Sequence, residues 1–200
     1  MKKLTIFFLT LTLLAGLIVS TVSAEMYYSG SMGMSHASNS DLNDGSDSGE
    51  LSLDDGLVFT GALGYSLGSS GRVELEMGYR INDVDKITLD GYGTGSIDGD
   101  MTTISLLGNA YYDFDAVGRF TPFIGAGIGL ANIEAKFDLA GNKDDTVFAY
   151  QFAAGGGFAV SENLHIDLKY SYFGTEDPSF DGLDAEYNTH NLIFGLRINF

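Results

Sequence analysis

The sequence predicts an all-β protein, an eight-stranded antiparallel up-and-down β-barrel that crosses a membrane. Three observations carry this expectation. Apolar residues alternate with period two through most of the chain. The apolar face so formed bears no charged residue. The connections between the alternating segments are by turns long and short. Composition agrees: 27 glycines, 11 tyrosines, 2 prolines and no cysteine among 200 residues suit a strand-rich chain. The absence of cysteine excludes disulfides, thiolate metal sites and cysteine nucleophiles. With 27 Asp+Glu against 10 Lys+Arg, a net charge of −17 would repel a phosphate backbone, so nucleic acid is excluded as the main partner.

In chain order, Lys2 and Lys3 form a basic start, and Leu4 to Ala24 carries no charge. The apolar run ends in Val22-Ser23-Ala24, a small-residue exit that suits cleavage after Ala24. Residues 1–24 therefore read as a cleaved signal peptide and 25–200 as one barrel domain; a retained helical anchor is the rival reading. Eight alternating segments follow, near 26–35, 57–66, 72–82, 101–114, 120–132, 146–160, 164–173 and 189–200. In the third, Val73, Leu75, Met77, Tyr79 and Ile81 share one face, and Arg72, Glu74, Glu76, Gly78 and Arg80 share the other. In the seventh, Leu164, Ile166, Leu168, Tyr170 and Tyr172 oppose His165, Asp167, Lys169, Ser171 and Phe173.

An eight-stranded bore is just wide enough for ordinary side chains and cannot hold the whole apolar face. That face must point outward, where only lipid tolerates it. The connections 67–71, 115–119 and 161–163 are short, whereas 36–56, 83–100, 133–145 and 174–188 are long. This is the plan of short periplasmic turns and long external loops, with both termini on the short-turn side. Tyr79, Phe148, Tyr150 and Tyr172 fall toward one interface, and Tyr28, Tyr65, Tyr112, Phe114 and Phe200 toward the other.

The stretches Ser105-Leu106-Leu107-Gly108-Asn109-Ala110-Tyr111-Tyr112-Asp113-Phe114 and Thr121-Pro122-Phe123-Ile124-Gly125-Ala126-Gly127-Ile128-Gly129, with Leu196-Arg197-Ile198-Asn199-Phe200 at the end, carry a family resemblance. The chain resembles the small outer-membrane β-barrel surface antigens of Gram-negative bacteria, which include opacity-protein-like, OmpA-like and rickettsial-type barrels. The resemblance implies outer-membrane lipid and lipopolysaccharide as surroundings and the outer-membrane assembly machinery as a partner. Ile198 and Phe200 look like the terminal signal that this machinery reads. Members act as adhesins, invasins, scaffolds or narrow channels, so a host or neighbouring-cell receptor joins the expected partners.

The inward face collects Arg72, Glu74, Glu76, Arg80, Asp113, Asp167, Lys169 and Arg197, four charges of each sign. On an eight-strand ring the third strand faces the seventh, so Glu74, Glu76 and Arg80 oppose Asp167 and Lys169. A narrow bore penalises an unpaired charge, which predicts a cross-braced, plugged interior. Glycine and alanine at 125–131 and 149–159 make room for the charged chains. A pore gated by these pairs is the alternative. Outside, 20 of the 27 acids lie in the four long connections against Lys86, Lys136 and Lys143. The first of them, Ser/Asp/Asn/Gly-rich from Asn39 to Glu50, reads as a solvated loop without a fixed fold.

No cofactor and no metal site is expected. Asp41-Leu42-Asn43-Asp44-Gly45 is out of register for a Ca²⁺ loop, and His36, His165 and His190 are scattered. Gly125-x-Gly127-x-Gly129 has strand period, with Leu130 where a dinucleotide fingerprint needs glycine. His36-Ala37-Ser38-Asn39 with Glu50 is similar to the His-x-Ser-Asn and later Glu of outer-membrane lipid A deacylases, but it lies at a strand end and in a low-complexity loop. The expectation is a non-enzyme: a surface antigen with an adhesive or envelope-scaffold role exerted through acidic external loops. The folded chain should resist SDS and change its apparent size on boiling; a chain that stays soluble and monomeric without detergent would contradict the barrel.

Overall fold

The computed structural model describes residues 25–38, 40–43, 48–53, 55–89, 93–137, 141–176, 179–180, 183–185 and 187–200. The expected signal peptide, residues 1–24, lies outside them. The strands are β1 (Met26–Ala37), β2 (Ser40–Asn43), β3 (Ser48–Leu53), β4 (Gly56–Leu67), β5 (Gly71–Leu89), β6 (Gly93–Asp113), β7 (Phe120–Phe137), β8 (Gly141–Ala159), β9 (Leu164–Thr175), β10 (Ser179–Phe180), β11 (Leu183–Ala185) and β12 (Asn188–Asn199).

Eight of them, β1, β4, β5, β6, β7, β8, β9 and β12, form the wall of a closed antiparallel barrel. Each pairs with its sequence neighbour in the wall, and β1 pairs with β12 from Tyr27↔Asn199 to Ala37↔Thr189 to complete the ring. Alternation along each strand decides which side chains meet lipid. On β4, Leu57 and Leu63 are 50% and 59% exposed, while Val58 between them is buried. Met32, Met77, Ile128, Phe152, Leu168 and Phe194 extend the same exposed apolar belt around the outside. The apolar row of β5 ends at Ile81, where the sequence turns to Asn82 and Asp83.

Short turns close one end. Gly68 and Gly118 take φ of 70° and 68° there, a left-handed backbone in which any Cβ would be strained. At the other end the sequence expectation needs correcting. Connections 83–100 and 133–145 are largely strand, because β5 runs to Leu89, β6 starts at Gly93, β7 runs to Phe137 and β8 starts at Gly141. The first connection is not without fold either: β2 pairs with β3, and β3 pairs with the upper part of β5 above the end of β4. β11 then pairs with β2, and β10 with β11. Backbone ladders need no apolar face, so polar segments continue the sheet where side-chain alternation no longer marks it. Residues 44–47 of the Asp/Asn run lie outside the described residues.

Burying a cation in the lipid belt should be costly only where lipid is. Met77→Arg, midway along β5, should lower folding stability by about 2–4 kcal/mol in a urea titration of folding into phosphatidylcholine vesicles. Val117→Arg, in an exposed short turn, should change it by less than about 0.5 kcal/mol.

Candidate functional site in the barrel lumen

Inward positions of facing strands bring most of the sequence-identified charges together. β5 and β9 lie across the bore, and Lys169 Nζ on β9 donates to Glu76 Oε2 on β5 at 2.9 Å. Glu76 Oε1 accepts from Gln151 Nε2 at 3.1 Å, and the same amide donates to Asn109 Oδ1 at 2.8 Å. Glu76 thus ties β5 to β8 and β9, and Gln151 extends the network to β6. Glu76 is 2% exposed and Lys169 9%.

Nearer the short-turn end, Arg72 Nε donates to Asp113 Oδ2 at 2.7 Å and Oδ1 at 3.0 Å, and Nη1 reaches Glu74 Oε1 at 3.5 Å. Tyr27 OH donates to the same Glu74 oxygen at 2.8 Å. Arg197 engages Asp167 through two parallel bonds, Nε to Oδ2 at 3.0 Å and Nη2 to Oδ1 at 3.1 Å, the fork geometry of the strongest charged pairs. These ions are wrapped in rings. The Arg72 guanidinium carbon lies 4.8 Å from the Tyr111 ring centroid and 5.0 Å from that of Phe123, and Arg197 lies 5.5 Å from that of Tyr27. Such stacking favours a desolvated cation by roughly 2 kcal/mol. The cavity among these side chains, bordered by Ser29, Thr60, Arg72, Glu76 and Lys169, holds about 20 Å³, room for about one water.

Toward the long-hairpin end an apolar cluster sits among buried uncharged polar groups such as Asn82, Thr103 and Asn191. Met101, Leu107, Ile133, Ala149, Phe173 and Tyr187 pack into one buried cluster, with Phe173 and Tyr187 edge-on at 6.3 Å. Arg80 lies against it, fully buried, with its guanidinium carbon 3.9 Å from the Phe173 ring centroid and Nη1 donating to Ser105 at 3.0 Å. No carboxylate pairs with Arg80 among the described residues.

Sequence reasoning set Phe173 on the inward face but missed the rest of the aromatic share of this interior. Tyr27, Tyr111 and Phe123 occupy inward parity on their strands, and that parity is the signal that could have found them. The small residues opposite serve these rings as much as the charges. A Cβ at Gly125 would strike the Tyr111 ring, one at Gly64 the Tyr27 ring, and one at Gly157 both Asp167 and Arg197.

The remaining candidates lie elsewhere. His36 points outward and its Nδ1 meets Asp55 Oδ1 at 2.5 Å, both groups exposed. Ser38 keeps its backbone N–H on Asn188 O at 3.0 Å, while Asn39 and the Glu50 side chain lie outside what the structure describes. The deacylase-like reading therefore gains an acid beside His36 but no assembled nucleophile. Ile198 is half-buried; Phe200 is exposed, its ring 5.8 Å from Tyr28 and its N–H on Met26 O at 2.9 Å.

A closed eight-stranded wall, apolar outside and ionic within, defines a small outer-membrane barrel. The chain belongs to the outer membrane protein beta-barrel domain family, whose model matches residues 9–200. It is 29% identical over 168 residues to "Putative adhesin RC1281" of Rickettsia conorii, covering 70% of this chain and 67% of that protein. It is 28% identical over 124 residues to the outer membrane protein PagN of Salmonella typhimurium, half of each chain. Among solved structures, Neisserial surface protein A superposes with a TM-score of 0.60 at 19% identity, covering 90% of this chain and all of that one. The protein is thus a surface protein of the Gram-negative outer membrane.

The Glu76–Lys169 pair offers a quantitative check. Lys169→Met leaves a buried carboxylate without its cation and should cost about 3–5 kcal/mol of folding stability in urea. Adding Glu76→Leu should restore most of it, since the charge itself is gone; independent, additive losses would show that the two do not act as a pair.

Proposed function

We propose that this protein is a non-enzymatic surface antigen that attaches its cell to a host or neighbouring-cell receptor through its acidic extracellular hairpins. The observation that carries this reading is the interior. With ion pairs at one end enclosing a cavity with room for about one water, and an apolar cluster at the other, the lumen acts as a plug and a brace. Function then falls to the part outside the membrane. β5 to β8 are 18 to 21 residues long, about twice the roughly 9–11 that a bilayer needs, so their upper halves stand clear of the hydrocarbon. Twenty acids against three lysines in the four long connections favour a basic partner surface, approached under electrostatic attraction. Similarity to a rickettsial protein named as an adhesin supports the same role.

Within this proposal, residues 1–24 direct export and are cleaved, Ile198 and Phe200 provide the terminal signal for the assembly machinery, and lipopolysaccharide surrounds the outer half of the belt. Deleting residues 40–53 should leave a heat-modifiable barrel while reducing adhesion of expressing cells to host cells by about tenfold or more. Raising the salt concentration should weaken the wild-type adhesion. In planar bilayers the purified protein should be electrically silent. Discrete conductance steps altered by Lys169→Met would overturn the plug and favour a pore gated by the lumen charges.

A further inference from the structure

We infer that Arg80 holds a small monovalent anion of halide size inside the lumen. The eight lumen charges sum to zero, but their pairing is uneven. Arg72 takes both Asp113 and Glu74, Arg197 takes Asp167, and Lys169 takes Glu76. Arg80 is left as the one of these four cations without a carboxylate among the described residues. Glu76, two inward positions along β5, has one oxygen on Lys169 and the other on Gln151.

The guanidinium of Arg80 is fully buried, yet only Nη1 has a partner, the Ser105 hydroxyl. Nε and Nη2 have none. An arginine edge with two open N–H donors is a ready site for an acceptor carrying negative charge. Two further buried hydroxyls without partners belong to inward residues beside the groups that Arg80 and Asn82 touch. Ser171 is the inward residue before Phe173, whose ring Arg80 covers. Ser35 lies beside Asn82, the inward residue after Arg80, which donates to the Ser35 carbonyl at 3.2 Å. Each hydroxyl has a hydrogen free to donate.

A trapped water would satisfy an N–H but leave compensation of the charge to Glu76, whose oxygens already serve Lys169 and Gln151, and an ion so poorly paired costs several kcal/mol. A halide supplies both acceptor and counter-charge. Full burial of Arg80 and the Phe173 ring against its guanidinium leave room for a small ion only. The anion is a structural ligand, taken up as the barrel closes around Arg80.

The test uses the full-length protein purified from outer membranes in a neutral detergent. Its unfolding midpoint is followed as chloride replaces gluconate at constant ionic strength. The midpoint should rise saturably, by roughly 5 °C when chloride is in hundredfold excess over its dissociation constant. Arg80→Met should fold, lose the chloride dependence and equal or exceed the wild-type midpoint in gluconate. Crystals grown in bromide should show an anomalous peak within hydrogen-bonding distance of Arg80 Nε and Nη2. A wild-type midpoint indifferent to chloride, or the same chloride dependence in Arg80→Met, would overturn the site. If Arg80→Met fails to fold, the bromide crystal decides, and water alone beside Arg80 overturns the proposal.

Discussion

Every other feature follows from the absence of water in a bilayer's core. A backbone N–H or C=O left unpaired there costs several kcal/mol, so the ladder has to return to its first strand. The register between β1 and β12 completes the ring, and the pairing of β5 with β6 runs through the lipid belt and, past a register shift between Val84 and Lys86, into the region above it. Once the ring is closed, the side-chain period of two leaves each wall residue only lipid or lumen to face. Leucine and phenylalanine on one parity and arginine and glutamate on the other are two answers to the same boundary condition.

The lumen inverts the usual order of a globular core. Ions sit at the centre and apolar groups outside, and the ions are tolerable only because each carboxylate is bonded more than once. Glu76 draws Lys169 and Gln151, Glu74 draws Tyr27 and Arg72, and Asp167 receives both arms of Arg197. The aromatic rings around Arg72 and Arg197 do what water does elsewhere, offering their faces to cations that have lost their hydration. The interior is therefore a cross-linked support for the wall, and its charge pattern reflects packing as much as any task.

How much of this was legible in the sequence depended on whether a side chain faced a boundary. The eight wall strands could be read because lipid forces an uncharged row, as at Val73 to Ile81. The members of the charged network could be named because Arg72, Glu74, Glu76 and Arg80 share a parity. Pairing partners could not be named, since strand tilt and stagger decide that Arg72 reaches Asp113 and leaves Arg80 beside Phe173. The strands β2, β3, β10 and β11 were invisible for a related reason. A backbone ladder forms without a lipid-facing apolar row, and Ser40-Asp41-Leu42-Asn43 carries no alternation to mark it. His36 illustrates a third limit: Asp55, its acid neighbour, lies beyond the loop in which a catalytic motif sought Glu50.

The pairing of β2 with β11 joins the first external hairpin to the last, Asn43 opposite Asp184 and Leu42 opposite Ala185. Chain segments more than a hundred positions apart thereby share one ladder. An antibody directed at this ladder would meet a discontinuous epitope, present only while the barrel is folded. Antibodies raised against a synthetic peptide of either hairpin would meet the strand in a shape it does not hold on the cell. A single exchange in one hairpin could instead alter recognition of the other, so that antigenic variation at one end of the gene is felt at both.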